Sequence, residues 1–278
     1  MNMNFYLEQI IQNADLKIIE FDMETRREMN SRDRRLPFYV MSYLQSGNAI
    51  LEIGGTRYET TAGDIAIIPA NMLHSHYKID RQPTTFLWWH FIFQMSYVVD
   101  VLKILDFPVV FQLKHREEFE NIFNRFYNGS RNINRVSEVL MHRACGLELM
   151  ACLVDELISE KRMLPNMEVP PVFWSIFQKI CSEDNQQFTL KDLSEEYHMS
   201  ATYISNRFKY FFGKAPITMK NEIILERAKD MLKNTNMSVS EIAEQFGFAD
   251  IAAFTHFFTN RMKESPSVYR GREKQFGI

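Results

Sequence analysis

A chain of 278 residues with a formal net charge of −3 is long enough for two domains, each with its own core. It has no run of about eighteen apolar residues, which excludes a membrane-spanning helix; its opening, Met1-Asn2-Met3-Asn4-Phe5, lacks the basic and apolar regions of a signal peptide. Cys145, Cys152 and Cys181 make an odd set without metal-ligand spacing, which suits a reducing cytoplasm and small buried hydrophobes.

The N-terminal third reads as β structure. Phe38 to Leu44, Ala49 to Ile53 and Asp64 to Ile68 are short apolar or alternating runs, with further strands expected at His74 to Lys78 and Thr85 to Phe93. Ser46-Gly47-Asn48, Gly54-Gly55 and Ala62-Gly63-Asp64 read as the turns between them. Close turns between short strands predict an antiparallel β-barrel or sandwich over residues 1–110. A small-molecule effector would sit inside such a barrel. Tyr39, Tyr43, His74, His76, Trp88, Trp89 and His90 are the candidate effector-binding residues, because aromatic faces stack on sugar rings and hydroxyl or imidazole groups fix orientation. Alternation sends neighbours to opposite faces, so Trp88 and Trp89 cannot both point inward.

Residues 111–164 read as helical. His115 to Asn128 carries Phe119, Ile122, Phe123 and Phe126 at helical spacing, and Val136 to Met163 reads as one long helix. Leu140, Leu147, Ala151, Val154 and Ile158 recur by threes and fours or their sums, a seam suited either to the chain's own barrel or to a second copy in a homodimer. The proline-bearing stretch 165–171 predicts a linker, and residues 172–278 predict an all-α domain.

In that last segment one pattern occurs twice. Leu193 to Lys209 and Ile242 to Phe258 each read as a short helix, a tight turn and a second helix, giving helix-turn-helix motifs at about 188–212 and 238–262. Thr189 or Ser200 can cap the first copy, Ser238 or Ser240 and then Asp250 the second, and Gly247 supplies a turn. Ile204 with Phe208, and Phe254 with Phe258, face inward. Ile217 to Asn234 reads as a linking helix with Ile224, Ala228 and Leu232 inward. From Val172 onward there are 14 Lys/Arg and 13 Asp/Glu, so binding to DNA must rest on placed contacts more than on bulk charge.

The region 172–272 resembles the DNA-binding domain of the AraC/XylS family of transcription regulators. The resemblance rests on Phe208-Lys209, Phe211 to Pro216, Arg227 to Leu232, Ile242 to Asp250 and Ser265 to Arg270. Gly63 to His74 resembles the second cupin motif, with Asn71 where a glycine is usual. The resemblance implies an α+β chain: a cupin-like antiparallel β-barrel with a helical dimerisation region, then an all-α domain. It implies a sequence-specific regulator of double-stranded promoter DNA, an activator in contact with RNA polymerase, with a carbohydrate as the expected effector. It also implies that Thr202, Ser205 and Asn206 face bases on the first recognition helix, with Ala252, Thr255 and His256 in the matching positions of the second. Arg207 and Lys209 are placed for phosphates, though an acid could claim Arg207. Thr259 and Asn260 stand where lysine is common, and Met262-Lys263 where Phe-Gly is common, so the second helix is expected to lean on positioning and on contact with thymine methyls. The alternatives are a metal-dependent cupin enzyme and a regulator without a small ligand. The stretch Leu36 to Gly47 holds no histidine or acid, leaving only His74 and His76 near the motif, so no metal, cofactor or catalytic residue is expected.

Overall fold

The structure is a computed structural model describing residues 8, 10–96, 98–105, 107–129, 135–160, 169–182 and 188–276. The chain forms two compact units, one of Ala14–Gln94 with Val101–Asn166, the other chiefly of Met167–Ile278. Residues 165–168 of the expected linker lie outside the described residues.

The first unit carries β1 (Ala14–Arg26), β2 (Asn30–Arg34), β3 (Tyr39–Ser46), β4 (Asn48–Ile53), β5 (Thr56–Thr61), β6 (Asp64–Ile68), β7 (His74–Tyr77) and β8 (Thr84–Met95). After the two-residue β9 (Val99–Asp100) and the short α1 (Val101–Ile104) come β10 (Val110–Gln112), α2 (Arg116–Gly129) and α3 (Arg135–Ser159). One sheet runs in the order β1-β8-β3-β6-β10 and the other β2-β7-β4-β5. The turn between β4 and β5 places Gly54 and Gly55 at φ of 58° and 80°, the left-handed pair a tight hairpin needs. Asn71, the residue in the glycine position of the motif, has φ of 61°, a conformation asparagine tolerates better than most side chains.

Sequence reading missed β1, β2 and β5. The helices α2 and α3 pack on each other and on β1, so one face of the long helix covers the chain's own barrel. Phe119, Phe123 and Phe126 are fully buried on α2, as are Leu149, Leu153 and Leu157 on α3. Gly146 marks the closest approach: a Cβ there would lie 2.9 Å from Ile18 Cδ1 and 3.1 Å from both Leu16 Cδ2 and Trp89 Cζ3. The buried Glu156 of α3 accepts hydrogen bonds from Lys114 N at 2.9 Å and His115 Nδ1 at 2.8 Å, tying the end of α3 to the start of α2.

The second unit is helical: α4 (Pro171–Cys181), α5 (Leu190–Glu196), α6 (Ala201–Phe212), α7 (Pro216–Asn234), α8 (Val239–Gln245), α9 (Ile251–Met262) and α10 (Pro266–Phe276). Pro170 and Pro171 open α4, where a missing N–H costs nothing. Ile224, Ala228 and Leu232 of α7 join Ile242, Phe246, Phe254, Phe258 and Tyr269 in one core. On the other half, Phe177 stacks on Phe212 at 4.4 Å between centroids. Arg227 donates to the carbonyls of Cys181 at 2.8 Å and Ser182 at 3.1 Å, and Arg270 to that of Leu232 at 3.2 Å. These bonds satisfy helix-end carbonyls that would otherwise lack partners.

Candidate DNA interface and ligand cavity

Both helix-turn-helix motifs are capped as their sequences predict. Thr189 and Asp192 form a reciprocal capping box on α5, and Ser238 with Glu241 repeats it on α8. The recognition helices α6 and α9 begin at Ser200 and Asp250, whose side chains accept from Tyr203 N at 3.2 Å and Ala253 N at 2.7 Å. The turns use left-handed residues at matching places, His198 at φ of 53° and Gly247 at 66°. These constraints fix which face of each second helix turns outward.

On α6, Ile204 and Phe208 are fully buried, while Thr202, Asn206, Arg207 and Lys209 are exposed and Ser205 is half-buried. Arg207 lies over the Tyr210 and Phe211 rings at 5.1 and 4.9 Å, so aromatic faces, and no acid among the described residues, hold it. On α9, Phe254 and Phe258 are buried, Ala252, His256 and Asn260 are exposed, and Thr255 is half-buried. The Asn260 amide lies 3.1 Å from His256 Nε2, so these two polar groups engage each other. The first turn of α9 instead offers the exposed Ile251, Ala252 and Ala253.

Between the two sheets lies a cavity of about 330 Å³, the lower end of the ligand-pocket range. Cross-strand register explains its walls. Val40 pairs with His90 and Ser42 with Trp88, and these side chains face the cavity. The intervening pairs Tyr39–Phe91, Met41–Trp89 and Tyr43–Leu87 face the opposite way. His74 and His76 of β7 complete the part of the lining that sequence reading found.

Tyr39, Tyr43 and Trp89 are therefore corrected: they are absent from the cavity wall, because strand alternation turns them toward the helical layer. Tyr39 stacks on Phe91 at 5.5 Å, and Trp89 sits 4.6 Å from Phe91 and 6.0 Å from Phe126. Tyr43 packs on Phe119 at 5.1 Å and donates to Glu120 Oε1 at 2.5 Å, and burial, then that carboxylate, pushes its phenol up. The lining also holds Glu20, Glu24 and Arg26 of β1, Ser31 and Arg34 of β2 and Ser42 of β3, none of which had been singled out. The period-two run Glu20-Phe21-Asp22-Met23-Glu24-Thr25-Arg26 was the available signal.

The cavity is polar and keeps its imidazoles neutral. Burial pushes His76 down to about 4, helped by His74, Arg34 and Arg26, and its Nε2 is buried without a hydrogen-bond partner. Burial also lowers His74, whose Nδ1 lies 3.0 Å from the Met72 carbonyl, and His90, which lies 3.4 Å from Glu20 Oε2. Glu24 pairs with Arg26. Among the described residues no group of three or more His, Cys, Asp or Glu is placed to hold a metal ion.

A family model described as an AraC-like ligand binding domain matches residues 21–141, and one described as a helix-turn-helix domain matches residues 193–272. The chain belongs to the AraC family. It is a DNA-binding transcription regulator with a ligand-binding domain. The Msm operon regulatory protein of Streptococcus mutans is 24% identical to this AraC-family chain over 96% of its length and 97% of the relative's. The arabinose operon regulatory protein of Escherichia coli is 20% identical over 84% of this chain and 80% of its own. The solved structure of ToxT from Vibrio cholerae covers 92% of the chain at 16% identity, with a TM-score of 0.38.

The residues expected to form a seam lie on the outward face of α3 in this AraC-family regulator. Leu140 is 65% exposed and Ile158 51%; Leu147 and Ala151 are exposed and Val154 is half-buried. The opposite face of the same helix is the one buried against α2 and β1.

Proposed function

We propose that this chain is a cytoplasmic, effector-controlled activator working as a homodimer. A small molecule, a carbohydrate, enters the cavity between the sheets and biases how the two DNA-binding units of the dimer sit on promoter DNA, where they contact RNA polymerase. The observation that carries the reading is a polar cavity on the same chain as two capped recognition helices. Trp88 offers a ring face for a sugar, while the carboxylates and imidazoles around it offer acceptors and donors for hydroxyls. A relative named for the arabinose operon supports the sugar class. The effector must bind the two states with different affinity, since equal affinity shifts nothing. A thermal-shift screen of sugars, followed by promoter binding and transcription in vitro with and without the hit, tests the reading. A library without a single hit would remove the effector, and a hit that lowers transcription would reverse the sign.

On the DNA side, Thr202, Ser205 and Asn206 read bases, and Lys209 and Arg207 meet phosphates. Asn206 is exposed and suits an adenine edge, worth about 1–3 kcal/mol of discrimination. Ile251 and Ala252 of α9 meet thymine methyls, with Thr255, His256 and Asn260 around them. Asn206→Ala therefore weakens specific binding more than His256→Ala does, and footprint titrations of the two variants in the reverse order would refute the assignment.

A further inference from the structure

We infer that the effector is a hydroxylated anion, a sugar bearing a carboxylate or a phosphate, whose acidic group is held by Arg34 beside His76 and His90. The inference rests on the cavity being the effector site and names the chemistry it selects. The lining holds two carboxylates and two guanidiniums, but only one carboxylate–guanidinium pair is formed among them. Glu24 is taken by Arg26, and Glu20 lies beside His90. The Arg34 side chain, at the exposed rim, has no ion pair or hydrogen bond among the described residues, yet its charge reaches His74, His76 and His90. Inside the rim, His76 Nε2 is buried without a hydrogen-bond partner, and His90 Nδ1 has only the Glu20 carboxylate, 3.4 Å away. A buried polar nitrogen left unpaired is costly, and it marks a place where a ligand atom completes the structure.

A neutral sugar would satisfy the imidazoles and leave the guanidinium unmatched. An acidic group satisfies both, because a guanidinium presents a planar fork that fits carboxylate and phosphate oxygens. The rest of the wall argues against a purely apolar acid. Glu20, Ser31 and Ser42 offer acceptors and hydroxyls that suit the hydroxyls of a ligand. The groups facing His76 are Glu20, Glu24 and Arg26 from β1, Arg34 from β2, His74 from β7 and His90 from β8. An anion set among them raises the pKa of His76 from its depressed value, so binding favours proton uptake by this imidazole.

The test is calorimetric titration of the full chain with three matched sets of probes: neutral aldoses, the corresponding aldonic and uronic acids, and the corresponding sugar phosphates. An acidic member should bind at least about tenfold more tightly than its neutral parent, and the carboxylate and phosphate arms show which acid is selected. Arg34→Met should erase that preference and Arg34→Lys should keep part of it; both should melt like the parent protein, since the Arg34 side chain bonds to none of the described residues. Neutral sugars binding as well as their acids, or a preference that survives Arg34→Met, would overturn the inference and leave the cavity as a sugar site. No binding by any member would overturn the cavity reading itself, and the inference with it.

Discussion

His76 sits folded in a place where protonation is disfavoured, so it couples stability to pH. Its folded pKa of about 4 lies below the ordinary value of 6.5, and the unfolded chain takes up a proton that the folded chain refuses. The stabilisation is complete above the ordinary value and is lost as pH falls toward 4. Between pH 7 and 5 the first unit should lose about 2 kcal/mol on this account. His74 and His90 shift the same way. His115, raised by Glu156, works in the opposite sense: its contribution is full below 6.5 and lost as pH rises through its raised value. The readout is therefore a difference: urea denaturation of His76→Phe should show a shallower acid slope than the parent, and equal slopes would reject the burial argument. Lys263 makes a second prediction of this size. It closes α9 at φ of 63°, where Gly213 closes α6 at 78°. Lys263→Gly should raise stability by about 0.5–1 kcal/mol, measured by the same denaturation.

Among the elements, α3 is the most constrained, and Gly146 shows why. With backbone this close to Leu16, Ile18 and Trp89, a larger side chain must push the helix off the sheet. Gly146→Leu should cost about 1–3 kcal/mol and lower the melting temperature of the first unit, although leucine is the better helix former. Legibility also varied by element. The two helix-turn-helix motifs were readable because their signals are local: Thr189, Ser200, Ser238 and Asp250 cap helices within three residues of themselves. β1 and β2 were not, because Glu20, Glu24 and Arg26 line a polar cavity and β2 reads Asn-Ser-Arg-Asp-Arg, a composition that looks like surface loop. Five of the fourteen residues of the cavity wall were hidden with them. The three misplaced aromatics failed for a different reason. Alternation shows that Trp88 and Trp89 part company, but which one meets the cavity depends on the helical layer that covers the other.

At the scale of the whole molecule the open question is what meets the outward side of α3. That 25-residue helix is roughly 37 Å long, enough for a seam of several turns. If a second copy covers it, Leu140→Asp with Ile158→Asp should convert the dimer to monomer in sedimentation velocity, with promoter affinity falling because two binding units no longer act together. A parent protein that sediments as a monomer at micromolar concentration would refute the seam. The shared strands carry a practical corollary for anyone wishing to transplant the sensor. β3 and β8 are the wall of the cavity on one side and the seat of α2 and α3 on the other. A fragment cut after Gln112 would strip Tyr43, Leu87, Trp89 and Phe91 of their cover and hand water a sticky aromatic slab. The smallest portable receptor therefore runs on through Ser159, and the exposed apolar side of α3 comes along with the part that tastes the ligand.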